Sequence, residues 1–320
     1  MQQARNTVAK EFEAVNKVII DQLASRVPLV GSIGHYIIDA GGKRLRPLLA
    51  LLCGGAHGEV SLKHITFAAT IEFIHTATLL HDDVVDLSSL RRGRPTANAQ
   101  WGNAPSVLVG DFLYSRAFQL LVSLGSPEVM ALMAETTNII AEGEVLQLTK
   151  AGDASTSESD YYDVIKSKTA VLFAAACAGS GHLSNLPKAD IQKLYDYGLN
   201  LGIAFQLIDD VLDYEGDPKT MGKNVGDDLS EGKPTLPLIY TMAKGNQAQQ
   251  NLVQQAIENK NSENIADIFA AIKGCKALDY CRSQAERHKN MAVEQISALS
   301  PSPYKESLLL IAELSLKRNS

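Results

Sequence analysis

Two acidic clusters, each following an apolar run, constrain the fold of this chain more than any other feature. The first run is I-H-T-A-T-L-L-H-D-D-V-V-D over residues 74–86, and the second is Q-L-I-D-D-V-L-D over residues 206–213. Residues four positions apart share one face of a helix, so the first and last aspartates of each cluster project together. The sequence therefore predicts two apolar helices that each end in a pair of carboxylates.

Carboxylates at the end of a helix are unfavourable unless a cation accompanies them. A helix C-terminus carries partial negative charge, and like charges four residues apart repel each other further. A divalent cation removes both penalties, and Mg²⁺ commonly binds one or two carboxylates together with substrate phosphates. One such cluster is equally compatible with a solvated acidic helix end. Because the pattern occurs twice, we interpret it as a metal-binding feature.

Composition bounds the class of protein. The chain has 320 residues, 45% of them apolar, and a formal net charge of −6, so we expect a substantial core and no nucleic-acid partner. The N-terminus lacks the apolar core of a signal peptide, and no run reaches the ~18 apolar residues of a transmembrane segment. The four cysteines have neither metal-site nor disulfide spacing. We expect a cytoplasmic protein whose phosphate-binding residues are local.

Helical periodicity extends through nearly the whole chain, and we find no alternating strand pattern, repeat or linker. Predicted helices cover residues 6–25, the segment from Leu62 to Asp86, residues 104–124, the segment from Pro127 to about residue 149, and residues 160–179 and 189–214, with shorter helices after residue 235. Residues 43–47 are predicted to open a further helix that carries residues 48–53. Predicted loops cover residues 87–96, 152–159 and 215–234. The expected fold is one all-α domain over residues 1–320, with roughly a dozen helices.

Several basic residues are placed to bind phosphate near these clusters. In G-G-K-R-L-R-P (41–47), the glycines allow close backbone approach to an anion, and Lys43 and Arg46 are spaced to face one ligand at a helix start. Arginines in R-R-G (91–93) follow the first cluster, and guanidinium groups bind phosphate oxygens in pairs. Lysines in G-K-N and G-K-P after the second cluster can close over a diphosphate. Lys168 lies in a predicted helix, where a buried lysine needs an anionic partner.

Together these motifs resemble the trans-isoprenyl diphosphate synthase family over essentially the whole chain, and within it the long-chain bacterial enzymes. The resemblance implies a homodimeric all-α isoprenoid synthase fold around a central cavity. It also implies Mg²⁺-dependent condensation of isopentenyl diphosphate onto an allylic diphosphate such as farnesyl diphosphate. The expected product is a C40 chain that supplies a quinone side chain.

The same resemblance implies a role for individual residues. The residues expected to hold isopentenyl diphosphate are Lys43, Arg46, His75 and Arg92. Those expected to hold Mg²⁺ are Asp82, Asp86 and Asp209. Those expected to bind the allylic diphosphate are Arg91, Lys168, Thr169, Gln206, Lys223 and Lys233. Catalysis is assigned to the three aspartates and Lys168, which would stabilise charge on the leaving diphosphate.

Small residues beside the first cluster leave room for a long prenyl tail. Thr78 lies one turn before Asp82 on the same face, and Ala77 is beside it, where an aromatic side chain would block the tail. Met133, with Leu121 from the preceding helix, is the predicted floor of the tunnel. All four residues could instead be ordinary packing residues, since methionine in particular often fills a core.

Three other functions remain open from the sequence. The first is a prenyl synthase of shorter or other product length, namely geranylgeranyl, heptaprenyl or nonaprenyl; the small residues Ala77 and Thr78 argue against the short geranylgeranyl length. A class I terpene cyclase does not need the second diphosphate site that residues 41–47 and Arg92 would form. A non-catalytic partner subunit should have lost carboxylates or basic contacts, whereas both clusters are intact here.

Overall fold

The computed structural model describes residues 1–215, 226–261 and 264–317, which are predominantly helical. The helices are α1 (Gln2–Thr7), α2 (Ala9–Gln22), α3 (Pro28–Asp39), α4 (Leu45–Gly55), α5 (Leu62–Val85), α6 (Ala97–Trp101), α7 (Asn103–Ser123), α8 (Pro127–Lys150), α9 (Glu158–Ile165), α10 (Val171–Leu183), α11 (Lys188–Glu215), α12 (Asp227–Ser230), α13 (Leu236–Lys244), α14 (Gln247–Asn259), α15 (Ile265–Gly274), α16 (Ala277–Gln295) and α17 (Pro303–Leu316). None of these described helices is both long enough and apolar enough to cross a bilayer. The predicted all-α fold is confirmed.

The structure corrects several of the predicted elements. The helix predicted over residues 6–25 is two helices, because Val8 leaves the helical conformation with φ −127° and ψ 35°. The predicted loop 87–96 contains strands β1 (Leu90–Arg91) and β2 (Arg94–Pro95), which pair antiparallel and are too short to show alternation. Short helices such as α1, α6 and α12 also make the elements more numerous than the dozen expected.

The chain forms two compact units, each with its own core. The first unit comprises Met1–Glu135, Leu172–Gly198 and Val293–Ile311, and the second comprises Thr136–Val171, Leu199–Ala292 and Ala312–Ser320. The expectation of a single domain over residues 1–320 stays a prediction.

Helix α5 is the centre of the first unit, where α2, α4 and α7 pack against it. It begins with a capping box in which Ser61 and His64 satisfy each other's backbone groups. Fully buried side chains such as Phe67 and Phe73 lie along it, and each contributes roughly 1.5–3 kcal/mol of burial free energy. Gly179 of α10 fits here because a Cβ would collide with the Phe67 ring. This packing fixes the helix whose last turn carries the first acidic cluster.

The second unit has a separate apolar core built from α9, the later part of α11 and helices α12 to α16. Its buried members include Ile203, Leu207, Val211, Leu236, Leu238, Val253, Ile257, Ile268, Ile272 and Cys281. The loops of this unit are joined by a backbone hydrogen bond of 2.9 Å from the Gly152 N–H to the Gly232 carbonyl. The core supports the part of α11 that carries the second acidic cluster.

Candidate active site

The first acidic cluster occupies the end of α5, as predicted. The helix ends at Val85 and Asp86 is its C-cap residue, with its N–H donating to the Asp82 carbonyl at 2.8 Å. Asp82 and Asp86 are both half-buried. Their helical spacing of four places both carboxylates on one face, where they can share a ligand.

The middle aspartate of this cluster has a structural partner. Asp83 is buried, and its Oδ1 accepts hydrogen bonds from Arg91 Nε at 2.8 Å and Nη2 at 2.7 Å. Burial raises the pKa of Asp83, and the hydrogen bond from Arg91 opposes that rise. Arg91, predicted to bind the allylic diphosphate, is therefore held by Asp83. A guanidinium has five N–H donors, so this contact leaves capacity for a further acceptor.

The G-G-K-R loop does not have the helical geometry assumed from the sequence. Gly41, Gly42 and Arg44 have φ angles of 76°, 149° and 42°, and α4 begins only at Leu45. Lys43 is exposed in this loop, before the helix that contains Arg46, so the helix predicted to open at Lys43 begins two residues later. That Lys43 and Arg46 face one ligand stays a prediction. A left-handed arginine at the N-cap costs backbone energy, which sequence periodicity could not anticipate.

Two motifs predicted separately to bind isopentenyl diphosphate are in contact. A Cβ on Gly42 would lie 2.8 Å from Nη1 and 2.9 Å from Nη2 of Arg92, so the guanidinium packs directly on the backbone of Gly42, whose φ of 149° favours glycine. Arg92 itself has a left-handed φ of 53° in the turn between β1 and β2. The structure thus joins residues 41–44 with the basic hairpin that follows α5.

Arg46 and His75 extend this basic cluster. The Arg46 guanidinium lies 4.3 Å above the Phe173 ring centroid, a favourable cation–π contact. Burial lowers the pKa of Arg46 to about 10, which leaves it charged at neutral pH. Burial and the charges of Arg46, Arg92 and Arg91 lower the pKa of His75 well below its usual value. His75 is therefore neutral and can donate from one ring nitrogen while accepting at the other.

Glu72 is a site residue that the sequence reasoning missed. Its side chain is buried, and its Oε1 lies 3.9 Å from Arg44 Nε. Burial raises the pKa of Glu72, while the positive charges of Arg44, Arg46, Arg92 and Arg5 oppose that rise. An acidic residue three positions before His75 in an apolar helix was the available signal. Its arginine partners come from three distant segments, so spacing along the chain could not identify them.

Lys168 and Thr169 lie on a π-helical turn, Lys166–Ala170, between α9 and α10. Lys168 Nζ donates to Glu144 Oε2 and Gln147 Oε1, each at 2.7 Å. The predicted anionic partner is therefore confirmed. π-turns occur frequently at functional sites, and this one places Lys168 against α8 and Thr169 against α11.

Gln206 and the second acidic cluster form a hydrogen-bonded chain in the second unit. Thr169 Oγ1 donates to Gln206 Oε1 at 3.0 Å, and Gln206 Nε2 donates to Asp210 Oδ1 at 2.8 Å. Tyr161 donates to the other oxygen of Asp210 at 2.6 Å. Burial raises the pKa of Asp210 well above its usual value. Asp210 is thus a structural carboxyl, like Asp83, whereas the predicted metal ligand Asp209 is half-buried.

The two lysines predicted after this cluster have different outcomes. Lys233 forms an ion pair with Glu231. Lys223 lies outside the described residues. Their roles on the allylic diphosphate stay predictions.

The residues predicted to set product length belong to the first unit. Ala77, Leu121 and Met133 are almost fully buried. Thr78 is half-buried, and its hydroxyl donates to the His75 carbonyl at 2.8 Å. A contact with prenyl chains stays a prediction for all four.

The acidic donor set fits a hard divalent cation. Within the described part of the chain, no three His, Cys, Asp or Glu side chains gather into a ready-made metal cage. Asp82 and Asp86 supply paired oxygen donors at one helix end. Mg²⁺ commonly binds one or two carboxylates, because waters and substrate phosphates complete its coordination. This pair is chemically suited to such a cation, and the roles of Asp82, Asp86 and Asp209 as metal ligands stay predictions.

Comparison with known proteins assigns this chain to a family. Residues 27–274 match the model of the polyprenyl synthetase family. The octaprenyl diphosphate synthase of Escherichia coli (strain K12) is 47% identical over 320 residues, covering 100% of this chain and 99% of that protein. The crystal structure of polyprenyl synthase from Caulobacter crescentus CB15, complexed with calcium and isoprenyl diphosphate, aligns with TM-score 0.96 and 39% identity over 100% of this chain and 98% of that one. The crystal structure of a decaprenyl diphosphate synthase from Rhodobacter capsulatus aligns with TM-score 0.94 and 41% identity. The alignment covers 100% of this chain and 99% of that one.

An all-α fold with aspartate pairs and a guanidinium cluster defines the isoprenoid synthase class. This chain belongs to the polyprenyl synthetase family. The resemblance drawn from its motifs is confirmed, and so is the expectation of a prenyl-transferring enzyme.

Proposed function

We propose that this protein is a long-chain polyprenyl diphosphate synthase that condenses isopentenyl diphosphate with an allylic diphosphate. The observation that carries the proposal is the contact between the 41–44 loop and Arg92 beside Arg46 and His75. The charges of four arginines act there on one buried carboxylate, Glu72, and the neutral imidazole of His75 lies near three arginines. Such an excess of fixed positive charge suits a diphosphate.

The remaining predicted residues take the roles expected from the family. Isopentenyl diphosphate is assigned to Lys43, Arg46, His75 and Arg92, and the allylic diphosphate to Arg91, Lys168, Thr169, Gln206, Lys223 and Lys233. Asp82, Asp86 and Asp209 are assigned to Mg²⁺, which supplies electrostatic stabilisation of the leaving diphosphate when bound.

The reaction proceeds by ionisation, condensation and elimination. Ionisation of the allylic C–O bond places negative charge on the departing diphosphate, and Lys168 and Arg91 are the basic residues assigned to stabilise that charge. The double bond of isopentenyl diphosphate then attacks the allylic carbon, and the adduct loses a proton, for which the departed diphosphate is the proposed base. His75 is assigned to binding because its neutral ring can donate to a phosphate oxygen. Apolar helices exclude water from the cation.

The proposed product is the C40 octaprenyl chain, a quinone side-chain precursor, made on farnesyl diphosphate. Full-length similarity to the Escherichia coli octaprenyl enzyme supports this length. Relatives from Rhodobacter capsulatus are named for a decaprenyl and for a nonaprenyl product, so C50 and C45 are the competing lengths. The buried Ala77 beside Thr78 supports a long product over a short one.

The direct test incubates pure protein with Mg²⁺, farnesyl diphosphate and labelled isopentenyl diphosphate, followed by sizing of the products. We expect mainly C40. Products no longer than C20 would contradict the long-chain assignment, and absence of condensation would refute the function.

The metal assignment needs separate variants. Asp82→Ala combined with Asp86→Ala, and Asp209→Ala alone, should each lower kcat at least about 10²-fold. A matched control replaces Asp279 and Glu286, two exposed acids of α16, and should retain full activity. Normal turnover by the Asp82/Asp86 variant would remove those residues from the mechanism.

The proposed assembly is a cytoplasmic homodimer. Leu108 and Val122 of α7 are 66% and 69% exposed, and their spacing of about four turns places them on one helix face. Free cysteines, three of them buried, are compatible with a reducing compartment. Analytical ultracentrifugation should give a dimer, and Leu108→Glu with Val122→Glu should give a monomer. A monomeric parent protein would refute the assembly.

A further inference from the structure

The N-terminal helices α1 and α2 end at Thr7 and Gln22, before residue 27, where the family match begins. They nevertheless contact the loop that carries Lys43. This loop, residues 41–44, precedes α4 and makes the Gly42–Arg92 contact described above. A segment outside the family match thus supports the substrate-binding loop.

Arg5 of α1 makes two of these contacts. Its Nη2 donates to the Lys43 carbonyl at 2.6 Å and lies 3.3 Å from the Gly42 carbonyl. The guanidinium also lies 5.0 Å from the centroid of the Phe12 ring on α2. Arg5 is therefore fixed from one side by an aromatic ring and bound on the other to the backbone of the loop.

The loop needs such support because its own backbone is strained. Gly41, Gly42 and Arg44 have positive φ angles, and the Gly42 and Lys43 carbonyls lie before α4, outside its hydrogen-bond ladder. Arg5 supplies donors for two of them. The Arg44 side chain donates to Asn16 of α2, which fixes the end of the loop.

The direction of the Lys43 side chain depends on this backbone. Lys43 is exposed and belongs to no helix, so the loop conformation sets where its ammonium group points. Arg5 also adds positive charge near Glu72, the carboxylate shared by Arg44, Arg46 and Arg92. One side chain of α1 thus contributes both geometry and charge to the cluster.

We propose that Arg5 is a positioning residue of the isopentenyl diphosphate site, holding the 41–44 loop through the carbonyls of Gly42 and Lys43, with Asn16 as its support through Arg44. This inference rests on the proposed function, because that function assigns isopentenyl diphosphate to Lys43. Arg5 acts on the substrate through the loop, without touching it.

The test compares Arg5→Ala and Arg5→Lys with Arg26→Ala, which removes an exposed arginine elsewhere in the N-terminal segment. For Arg5→Ala we expect about a tenfold rise in the KM for isopentenyl diphosphate, with kcat and the KM for farnesyl diphosphate within about twofold of the parent. Arg5→Lys should recover part of the loss, because one ammonium reaches a carbonyl without reproducing the planar fork. Arg26→Ala should match the parent.

Chemical rescue separates positioning from a general folding defect. Methylguanidinium added to Arg5→Ala should lower the KM for isopentenyl diphosphate, whereas methylammonium at the same concentration should not. An unchanged KM in Arg5→Ala, or equal loss of affinity for both substrates without rescue, would overturn the inference. Asn16→Ala is the second variant and should raise the same KM by a smaller factor.

Hydrogen exchange keeps this inference distinguishable from the proposed function. Exchange at the backbone amides of residues 41–45 should accelerate at least about tenfold in Arg5→Ala and remain unchanged in Arg26→Ala. If the parent protein condenses no isopentenyl diphosphate but shows this exchange pattern, the function fails and the loop contact stands. If the parent is active and exchange is unchanged in Arg5→Ala, the inference fails alone.

Discussion

The cations of the two units are balanced in different ways. In the first unit, Arg44, Arg46 and Arg92 surround one buried carboxylate, Glu72. In the second, Lys168 is bound to Glu144 and Gln147. The first cluster therefore carries net positive charge in the folded chain, whereas the lysine of the second already contacts a carboxylate of its own.

This difference indicates two ways of preparing a site for an anion. An arginine cluster with too few carboxylates attracts a diphosphate without rearrangement, at the expense of repulsion among its own charges. A lysine bound to a carboxylate must exchange that contact for a phosphate, which lowers affinity but keeps the resting protein stable. We expect substitutions in the first unit to affect binding and stability more strongly than their counterparts in the second.

The largest effect should come from Arg46. Arg46→Ala removes a buried guanidinium stacked on Phe173, and we expect kcat/KM for isopentenyl diphosphate to fall about 10²–10³-fold, the loss typical of one transition-state donor. Lys168→Ala should reduce kcat/KM for the allylic substrate less, by about tenfold, because its resting contacts already oppose ligand binding. Steady-state kinetics with each substrate varied in turn provides the measurement. Equal losses in both variants would break the distinction between the units.

The next effect concerns the shared carboxylate. Glu72→Gln keeps the shape but removes the charge that balances three arginines, and we expect about 2–3 kcal/mol lower unfolding free energy. Glu144→Gln, in a pair that is partly exposed, should cost no more than about 1 kcal/mol. Urea denaturation measures both. Pyrophosphate should raise the Tm of Glu72→Gln more than that of the parent, since the anion replaces the missing charge; a smaller shift would contradict this account.

The π-turn of the second unit provides a packing test. A Cβ on Gly143 would lie 2.6 Å from Ser167 Cβ and 2.9 Å from the Lys168 backbone nitrogen. Gly143→Ala should therefore destabilise the protein by about 1–3 kcal/mol and lower activity by displacing Lys168. Gly31→Ala is the control, because no neighbouring atom approaches within 4 Å and the residue lies inside α3. Gly31→Ala should raise the free energy of unfolding by roughly 0.5–1 kcal/mol, as judged by thermal unfolding.

The sequence predicted elements whose signal is local. Apolar periodicity identified α5 and α11, and Pro127 marked the start of α8. The helical placement of Lys168 led to the expectation of an anionic partner, and Glu144 fulfils it. These predictions succeed because each depends on residues within a few turns of one another or on a strong desolvation penalty.

The parts that sequence reasoning missed depend on contacts between distant segments or on backbone strain. Glu72 acquires its role from arginines at positions far apart in the chain. The left-handed conformation of Arg44 runs against its intrinsic preference. Asp83 and Asp210 could not be distinguished from their neighbours, because only the positions of Arg91 and Tyr161 show that they are structural. From spacing alone, every aspartate of a cluster is an equally good candidate for a metal ligand.

The smallest effect concerns acid stability of the second unit. Burial, and then the charges of Arg287 and Lys166, lower the pKa of His288 from 6.5 to about 4, and its Nδ1 is hydrogen-bonded to Asn200 Oδ1 at 2.8 Å. A group whose folded pKa is depressed stabilises the protein above its unfolded pKa and loses that contribution as pH falls through the folded value. The unfolding free energy should thus decline between pH 6.5 and about 4.

Because the His288 side chain is partly exposed, solvent screening reduces the expected loss to about 1–2 kcal/mol. His288→Gln cannot titrate and should flatten the stability profile over this interval in urea denaturation, whereas His35→Gln, at an exposed position, should leave it unchanged. A profile equally steep in both variants would show that the acid sensitivity originates elsewhere. It would then point to the first unit, where protonation of the neutral His75 would add a further positive charge to a cluster that already contains three arginines around one carboxylate.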